Sequence, residues 1–335
     1  MSGSRKSRPP LVADKRTSRR KTTQQTSKRG AKRQRNASQR RSRNPISWLF
    51  SAIVRLIWGI GWRVTALAAL AIGGAVIFYA ATLPPVTALL DARARGSVTL
   101  LDREGQVFAW RGEQFGGQIT AETVSPYLKN AVIATEDKRF YGHFGLSPRG
   151  IASAVRINLR EGRGPLSGHG GSTITQQTAK LLCLGTKYDP ASGMSEAEFE
   201  ADCRRTTLTR KIKEAVYAMA MELRYSKDDI LTIYLNRAYL GAGARGFEAA
   251  AQRYFGRSAN ELLPAEAAML AGLLVAPTRY APTANLQRSQ DRANIIIGLM
   301  EDQGYISTAE AVDARQAPAQ LSAAAEARAG GYFAD

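Results

Sequence analysis

Two adjacent carboxylates, Glu136 and Asp137, lie in the stretch ATEDKRFYGHFG, in which an apolar helical pattern leads to Phe140, His143 and a glycine. A sugar hydroxyl is a poor nucleophile until a positioned base removes its proton, so paired carboxylates at the end of a helix suit glycosyl chemistry. An isolated Glu-Asp pair is more often a pair of solvated charges. The functional interpretation therefore depends on the other motifs of the chain.

Polar residues also cluster in the segment GGSTITQQTAK. Helix capping alone explains Ser172 and Thr173. Gln176, Gln177 and Lys180 are harder to explain in this way, because they place amide and ammonium donors along one short helix. These donors suit a ligand that is rich in hydroxyl groups and phosphate oxygens.

A third cluster lies in LTRKIKEAVYAMAMELR, whose apolar residues recur at helical spacing. Arg210 and Lys211 precede Glu214 by four and three residues, so the three charges can lie side by side on another helix face. Such charges usually form an exposed ion-pair face. The alternative is that the two cations face a pyrophosphate and Glu214 orients them, because guanidinium and ammonium groups donate to phosphate oxygens.

Helical patterns dominate the segment that carries these clusters, and they predict a mainly α body. The predicted helices cover residues 127–135, 147–160, 208–224, 227–236, 247–255, 265–275 and 286–300. Asn236 lies near the end of KDDILTIYLN, and core packing is the main role expected for that helix and the later ones. A hairpin is predicted over 97–110, and a flexible glycine-rich loop over 162–171.

The net charge of +19 belongs to the N-terminal tail. Residues 1–45 contain 16 Lys and Arg and a single acid, Asp14, whereas the chain from Val64 onward has 29 basic and 27 acidic residues. This positive charge is confined to a tail rich in Ser, Arg, Lys and Gln, so it does not indicate a nucleic-acid-binding domain. No nucleic acid partner is expected. The tail, Met1–Asn44, has few apolar residues and is predicted to be disordered.

An apolar segment follows the tail. Three tryptophans mark an interfacial segment, 46–62, and residues 64–83 carry no charge. Twenty apolar residues can cross roughly 30 Å of hydrocarbon as a helix, and this run is too long for the apolar region of a cleaved signal peptide. By the positive-inside rule, the tail is cytoplasmic and the body after Pro85 lies outside the cytoplasm.

The two cysteines, Cys183 and Cys203, both fall in this exported body. An oxidising compartment permits a disulfide between them. The segment they bracket is rich in glycine, proline and acids and is predicted to be an exposed loop. Two free buried thiols are the alternative.

Four blocks of the body, EDKRFYGHFG, GGSTITQQTAK, RKIKE and KDDILTIYLN, precede a block around Arg292. In this order they resemble the peptidoglycan glycosyltransferase domain, glycosyltransferase family 51, of monofunctional transglycosylases and class A penicillin-binding proteins. The resemblance covers about 122–300 and implies a lysozyme-like, mainly α fold with a small β-hairpin, preceded by one transmembrane helix. It implies an enzyme on the outer face of the bacterial cytoplasmic membrane that polymerises lipid II into glycan strands.

The resemblance also implies a role for each polar cluster. Glu136 resembles the catalytic base for the acceptor 4-hydroxyl, and Glu214 resembles a second essential carboxylate. The implied substrate-binding residues are Asp137, Phe140, His143, Ser172, Thr173, Gln176, Gln177, Lys180, Asn236 and, beside the donor pyrophosphate, Arg210 and Lys211. The implied reaction inverts the donor anomeric carbon and releases undecaprenyl pyrophosphate. The implied partners are lipid II, the nascent glycan strand and other proteins of cell-wall synthesis.

Some positions depart from the family pattern. Thr178 and Leu181 stand where the family usually has Leu and Asn, and Thr232 stands where it usually has Glu. The 183–203 segment is longer than the usual link, which suggests an insertion at the edge of the cleft. The C-terminal AGGYFAD resembles the start of a linker to a transpeptidase domain, so the chain is interpreted as a fragment or shortened version of a bifunctional enzyme, with a complete monofunctional enzyme as the alternative.

These patterns divide the chain into five parts. They are a basic cytoplasmic tail (1–45), an interfacial and transmembrane segment (46–83), a linker with the hairpin (84–120), the glycosyltransferase domain (121–304) and a C-terminal segment (305–335).

Other functions agree with parts of the sequence. A lytic, lysozyme-like enzyme also uses paired carboxylates, but it has no pyrophosphate for a basic pair to hold. A non-catalytic scaffold that binds lipid II has no need of Glu136, and DNA binding by the tail would be salt-sensitive. No cofactor is expected to be required. A divalent cation, Mg²⁺ or Mn²⁺, is compatible with a pyrophosphate leaving group, while His143 and His169 are too separated to predict a zinc site, so no metal ligands are assigned.

The cysteine hypothesis is tested by intact mass. Alkylation of the unreduced chain is expected to leave its mass unchanged, and reduction before alkylation is expected to add one alkyl group to each of Cys183 and Cys203. Addition of both groups without reduction would show two free thiols.

Overall fold

The computed structural model describes residues 45–90, 98–101, 103, 107–111, 114–115, 117–165, 171–186, 188–205, 207–323 and 325. The basic tail predicted to be disordered, part of the predicted 162–171 loop including His169, and the AGGYFAD motif lie outside these residues.

The described chain is mainly α, as predicted. Its helices are α1 Pro45–Thr82, α2 Val86–Leu90, α3 Pro126–Glu136, α4 Pro148–Arg160, α5 Ile174–Leu181, α6 Glu196–Cys203, α7 Leu208–Arg224, α8 Lys227–Arg237, α9 Phe247–Phe255, α10 Pro264–Leu273, α11 Pro277–Tyr280, α12 Leu286–Asp302 and α13 Thr308–Gln316. Single turns of 3₁₀ helix cover Phe140–Gly142, Cys183–Gly185, Pro190–Ser192 and Ala259–Glu261.

Four short strands accompany the helices within the described residues. Strands β1 Val98–Leu101 and β2 Val107–Arg111 pair antiparallel, which confirms the predicted hairpin. Strand β3 Gln114–Phe115 pairs in parallel with β4 Ala244–Arg245. The sequence did not predict this second pair, because two residues are too few to show the period-two pattern of a strand.

Helix α1 is continuous, and its apolar part, Ile46–Thr82, is long and apolar enough to cross a membrane by length and composition. The chain divides into two compact units, Met1–Ile60 and Gly61–Asp335. The described part of the first unit is the beginning of α1, whose side chains are mostly exposed. The second unit contains the remaining elements and the hydrophobic core.

The core of the second unit is built on alanine-rich helices. Helix α10 packs against α3 and α12, and α5 packs against α7 and α8. At Gly272 of α10 an added Cβ would lie 2.9 Å from Cγ of Arg292, so the missing side chain lets the Arg292 stem cross α10. This crossing brings a cation of α12 toward the end of α3.

Helix α8 anchors the segment that enters α3. The Asn236 amide accepts from Ile119 N at 3.2 Å and donates to Ile119 O at 2.7 Å. It also donates to Thr232 O at 2.7 Å, and the Thr232 hydroxyl accepts from Ala121 N at 2.9 Å. Thr232, at a position where the family that the sequence resembles usually has Glu, thus fixes the same segment.

Replacing Asn236 with Ala is expected to lower the free energy of unfolding by about 1–3 kcal/mol, because the backbone groups of Ile119 lose their partners. Urea unfolding of the detergent-solubilised chain measures the change. Asn260→Ala, at an exposed position, is the matched control. Equal midpoints for the two variants would contradict the anchoring role.

Candidate active site

Glu136 is the last residue of α3, and its carboxylate faces α5. Gln177 Nε2 donates to Glu136 Oε2 at 2.7 Å. The Tyr234 hydroxyl of α8 in turn donates to Gln177 Oε1 at 3.1 Å. The amide of Gln177 is therefore oriented from one side by a buried phenol and presents its NH₂ group to the carboxylate.

The surroundings of Glu136 disfavour its ionised form. Burial is the largest cause and raises the pKa of Glu136, and the neighbouring Asp137 charge acts in the same direction. The hydrogen bond from Gln177 and the charge of Arg292 oppose this effect without cancelling it. Burial also holds the pKa of Tyr234 well above its ordinary value, so its hydroxyl stays protonated and able to donate. A carboxylate with a raised pKa is a stronger base than a solvated one.

Asp137 is buried and connects α3 to the start of α5. Its Oδ2 accepts from Ile174 N, in the first turn of α5, at 3.1 Å and lies 2.9 Å from His143 Nε2. Phe140 is fully buried beside the His143 ring, with centroids 6.4 Å apart. Asp137, Phe140 and His143, predicted to shape the site, thus fix the backbone around Glu136.

The N-terminus of α5 is capped as the sequence predicted. The Thr173 hydroxyl accepts from Gln176 N at 3.1 Å and donates to Gly145 O at 2.6 Å, and the Gln176 side chain accepts from Thr173 N. Ser172 Oγ, just before the helix, accepts from Lys211 Nζ at 2.7 Å. Capping therefore accounts for Thr173, whereas Ser172 contacts Lys211.

The basic pair encloses a buried carboxylate. Arg210 Nη1 lies 2.6 Å from Glu214 Oε2, and Lys211 Nζ lies 2.5 Å from Glu214 Oε1. Glu214 is 1% exposed, and Gln176 Nε2 donates to it at 3.4 Å. Of the two interpretations of these charges, the exposed ion-pair face does not describe Glu214, because this carboxylate is buried and surrounded by donors, and it contacts both cations.

Lys180 adds a third positive charge to this group. Burial lowers its pKa, and the nearby positive charge of Arg210 lowers it further, while Glu214 raises it. Three cations thus lie around one carboxylate, which leaves net positive charge available to an anion.

Helix α5 unites the two predicted halves of the site. Gln176 and Gln177 are adjacent, and the first contacts Glu214 while the second contacts Glu136. The carboxylate predicted to be a base and the basic pair predicted to bind pyrophosphate are therefore positioned by consecutive residues of one helix.

Cys183 and Cys203 are joined by a disulfide. The segment between the two cysteines was predicted to be an exposed loop. This prediction is corrected in part, because the segment also contains helix α6. A reciprocal capping box of Ser195 and Glu198 starts this helix, and this capping pattern was present in the sequence.

Sequence reasoning missed two contributors. Tyr234 was counted among the apolar residues of α8, although a buried Tyr hydroxyl normally has a partner. Arg292 was noted as the centre of a family block and as part of a periodic helix, but no role at the site was assigned to it. Asn236 was predicted to bind substrate, and its amide contacts backbone groups, so substrate contact there stays a prediction. Among the described residues there is no group of three or more His, Cys, Asp or Glu side chains that could hold a metal ion.

Comparisons with known proteins match most of the sequence to one family. A family model described as transglycosylase matches residues 104–301. Penicillin-binding protein 1A of Aquifex aeolicus is 37% identical over 234 residues, which is 70% of this chain and 29% of that protein. The Escherichia coli protein of the same name is 37% identical over 225 residues, or 67% of this chain and 24% of the relative. Penicillin-binding protein 1A of Neisseria flavescens is 41% identical over 225 residues, which is 67% of this chain and 26% of that protein. The chain spans less than a third of the length of these relatives.

Glu136→Gln is expected to stabilise the protein at neutral pH. Because the pKa of Glu136 is raised in the folded state, its favourable contribution is complete below the ordinary carboxyl pKa of about 4.3 and is lost as the pH rises through the folded-state value. The melting temperature of the variant should therefore exceed that of the wild type at pH 7, and the difference should shrink toward pH 4. Glu261→Gln, at an exposed position, is the control, and a difference independent of pH would contradict the burial argument.

Proposed function

The chain belongs to the transglycosylase family, the peptidoglycan glycosyltransferases, and we propose that its domain polymerises lipid II into glycan strands. The observation that carries the proposal is the pairing of Gln177 with Glu136 and of Gln176 with Glu214 on one helix. This arrangement supports a base and a pyrophosphate site that face the same reacting sugar.

In the proposed reaction Glu136 accepts the proton of the acceptor 4-hydroxyl. The acceptor oxygen then forms a bond to the anomeric carbon of the donor MurNAc as the bond to the pyrophosphate breaks, with inversion at that carbon. The raised pKa of Glu136 makes its carboxylate a stronger base for this proton transfer than a solvated carboxylate. The hydrogen bonds from Tyr234 to Gln177 and from Gln177 to Glu136 hold the accepting carboxylate in one orientation while the proton moves.

The departing undecaprenyl pyrophosphate is proposed to be stabilised by Arg210, Lys211 and Lys180. Glu214 acts in this proposal as the residue that positions the two cations of α7, since it contacts both of them. Pre-oriented cations stabilise charge as it develops on the leaving group. The reaction uses no protein-bound cofactor, and Mg²⁺ or Mn²⁺ on the pyrophosphate is compatible with it.

The proposed location is the bacterial cytoplasmic membrane. Helix α1 would span the bilayer once, with the basic tail in the cytoplasm, because short basic segments are retained on that side. The body would then lie in the periplasm or outside the cell, where a lipid-linked donor and the nascent glycan strand are both within reach.

Glu136→Gln is expected to reduce lipid II polymerisation by about 100-fold or more, the usual contribution of a positioned base. Gel analysis of glycan chains made by the detergent-solubilised chain measures this loss. Glu261→Gln should polymerise like the wild type. Wild-type rates in Glu136→Gln would contradict the proposed base, and shortening of preformed glycan without polymer formation would indicate a lytic enzyme instead.

A further inference from the structure

A cavity of about 540 Å³ lies between α7 and the disulfide-closed segment, residues 183–203. Thr209, Lys213 and Tyr217 line it from α7, and the disulfide itself forms part of the opposite wall. Its volume is within the usual range for small-molecule sites, roughly 300–1,000 Å³.

This cavity is on a different face of α7 from the site described above. Thr209, Lys213 and Tyr217 recur every four residues and share one face, whereas Lys211 and Glu214 lie on another, because successive helical residues are turned by about 100°. Arg210 lies between the two faces, since it contacts Glu214 and also lines the cavity.

The polar side of the cavity is positive. Arg205, Arg210 and Lys213 line it together with one acid, Asp202, which lies 3.3 Å from Arg205. Arg210 Nε is buried and has no hydrogen-bond partner among the described residues. The first turn of α7, whose Arg210 N–H is capped by the Thr207 hydroxyl, adds the positive end of the helix dipole. An oxyanion in the cavity would balance this positive charge.

The other side of the cavity is apolar. Phe199, Leu184 and Tyr217 contribute to it, and Tyr79 packs edge-on against Tyr217 with ring centroids 5.7 Å apart. Tyr79 is in the last turn of the apolar helix α1, which ends at Thr82. Aromatic residues at the end of a membrane-spanning helix lie at the level of lipid headgroups.

We propose that this cavity binds the phosphate group of an anionic amphiphile, such as a membrane phospholipid. Arg205, Arg210 and Lys213 would donate to the phosphate oxygens, and the aromatic wall would cover the adjoining glycerol and acyl carbons. The site goes beyond the proposed glycosyl transfer, because it uses a different face of α7 and a segment that contributes no side chain to the Glu136 site.

Native mass spectrometry of the full chain in neutral detergent tests the proposal. Wild type is expected to retain phosphatidylglycerol about tenfold or more tightly than phosphatidylcholine, because each cation near a headgroup contributes about 1 kcal/mol. Arg205→Gln with Lys213→Gln should remove this preference. Arg279→Gln with Arg288→Gln, an equal loss of two positive charges at exposed positions outside the cavity, should retain it.

Two further measurements distinguish binding of a lipid phosphate from binding of free inorganic phosphate. Phe199→Ala is expected to weaken lipid retention, and inorganic phosphate alone should raise the melting temperature less than the lipid does at equal concentration. Equal retention of both lipids, or an unchanged lipid preference in the double variant, would overturn the site. A rise in melting temperature with inorganic phosphate as large as the rise with the lipid would overturn the assignment of an amphiphile. Glu136→Gln should retain phosphatidylglycerol normally, so a failure of the proposed enzymatic reaction would not alter this readout.

Discussion

The hydrogen bond from Ile174 N to the Asp137 carboxylate fixes the start of α5 against the end of α3. Because a helix is rigid over two turns, this contact sets where every polar side chain of α5 points. Gln177 then reaches Glu136 and Gln176 reaches Glu214. The candidate active site thus depends on a buried carboxylate that need not touch substrate.

The two candidate carboxylates, Glu136 and Glu214, have different environments. Burial raises the pKa of Glu136, which accepts from one amide among the described residues, whereas Glu214 is enclosed by Arg210, Lys211 and Gln176. A carboxylate short of donors suits proton transfer, and one that is fully paired suits the placement of cations. The neighbours of each residue, and not its type, separate these roles.

Most helices, the hairpin and the polar clusters could be predicted, because capping pairs, apolar periodicity and motif spacing are local properties of the sequence. Tyr234 and Arg292 could not be assigned to the site in this way, since their partners lie far away along the chain. Strands β3 and β4 could not be predicted for the same reason, because the two strands that pair are more than a hundred residues apart in the sequence. Helix α6 was missed for a different reason, because glycine, proline and acids around Ser195 concealed its capping box.

The proposed base and its tuning by Gln177 are tested most directly by the pH dependence of kcat/KM for lipid II polymerisation in wild type and Gln177→Leu. The hydrogen bond from Gln177 lowers the pKa of Glu136, so its removal should move the ascending limb of the profile to higher pH. An ascending limb at the same pH in both proteins would contradict the account.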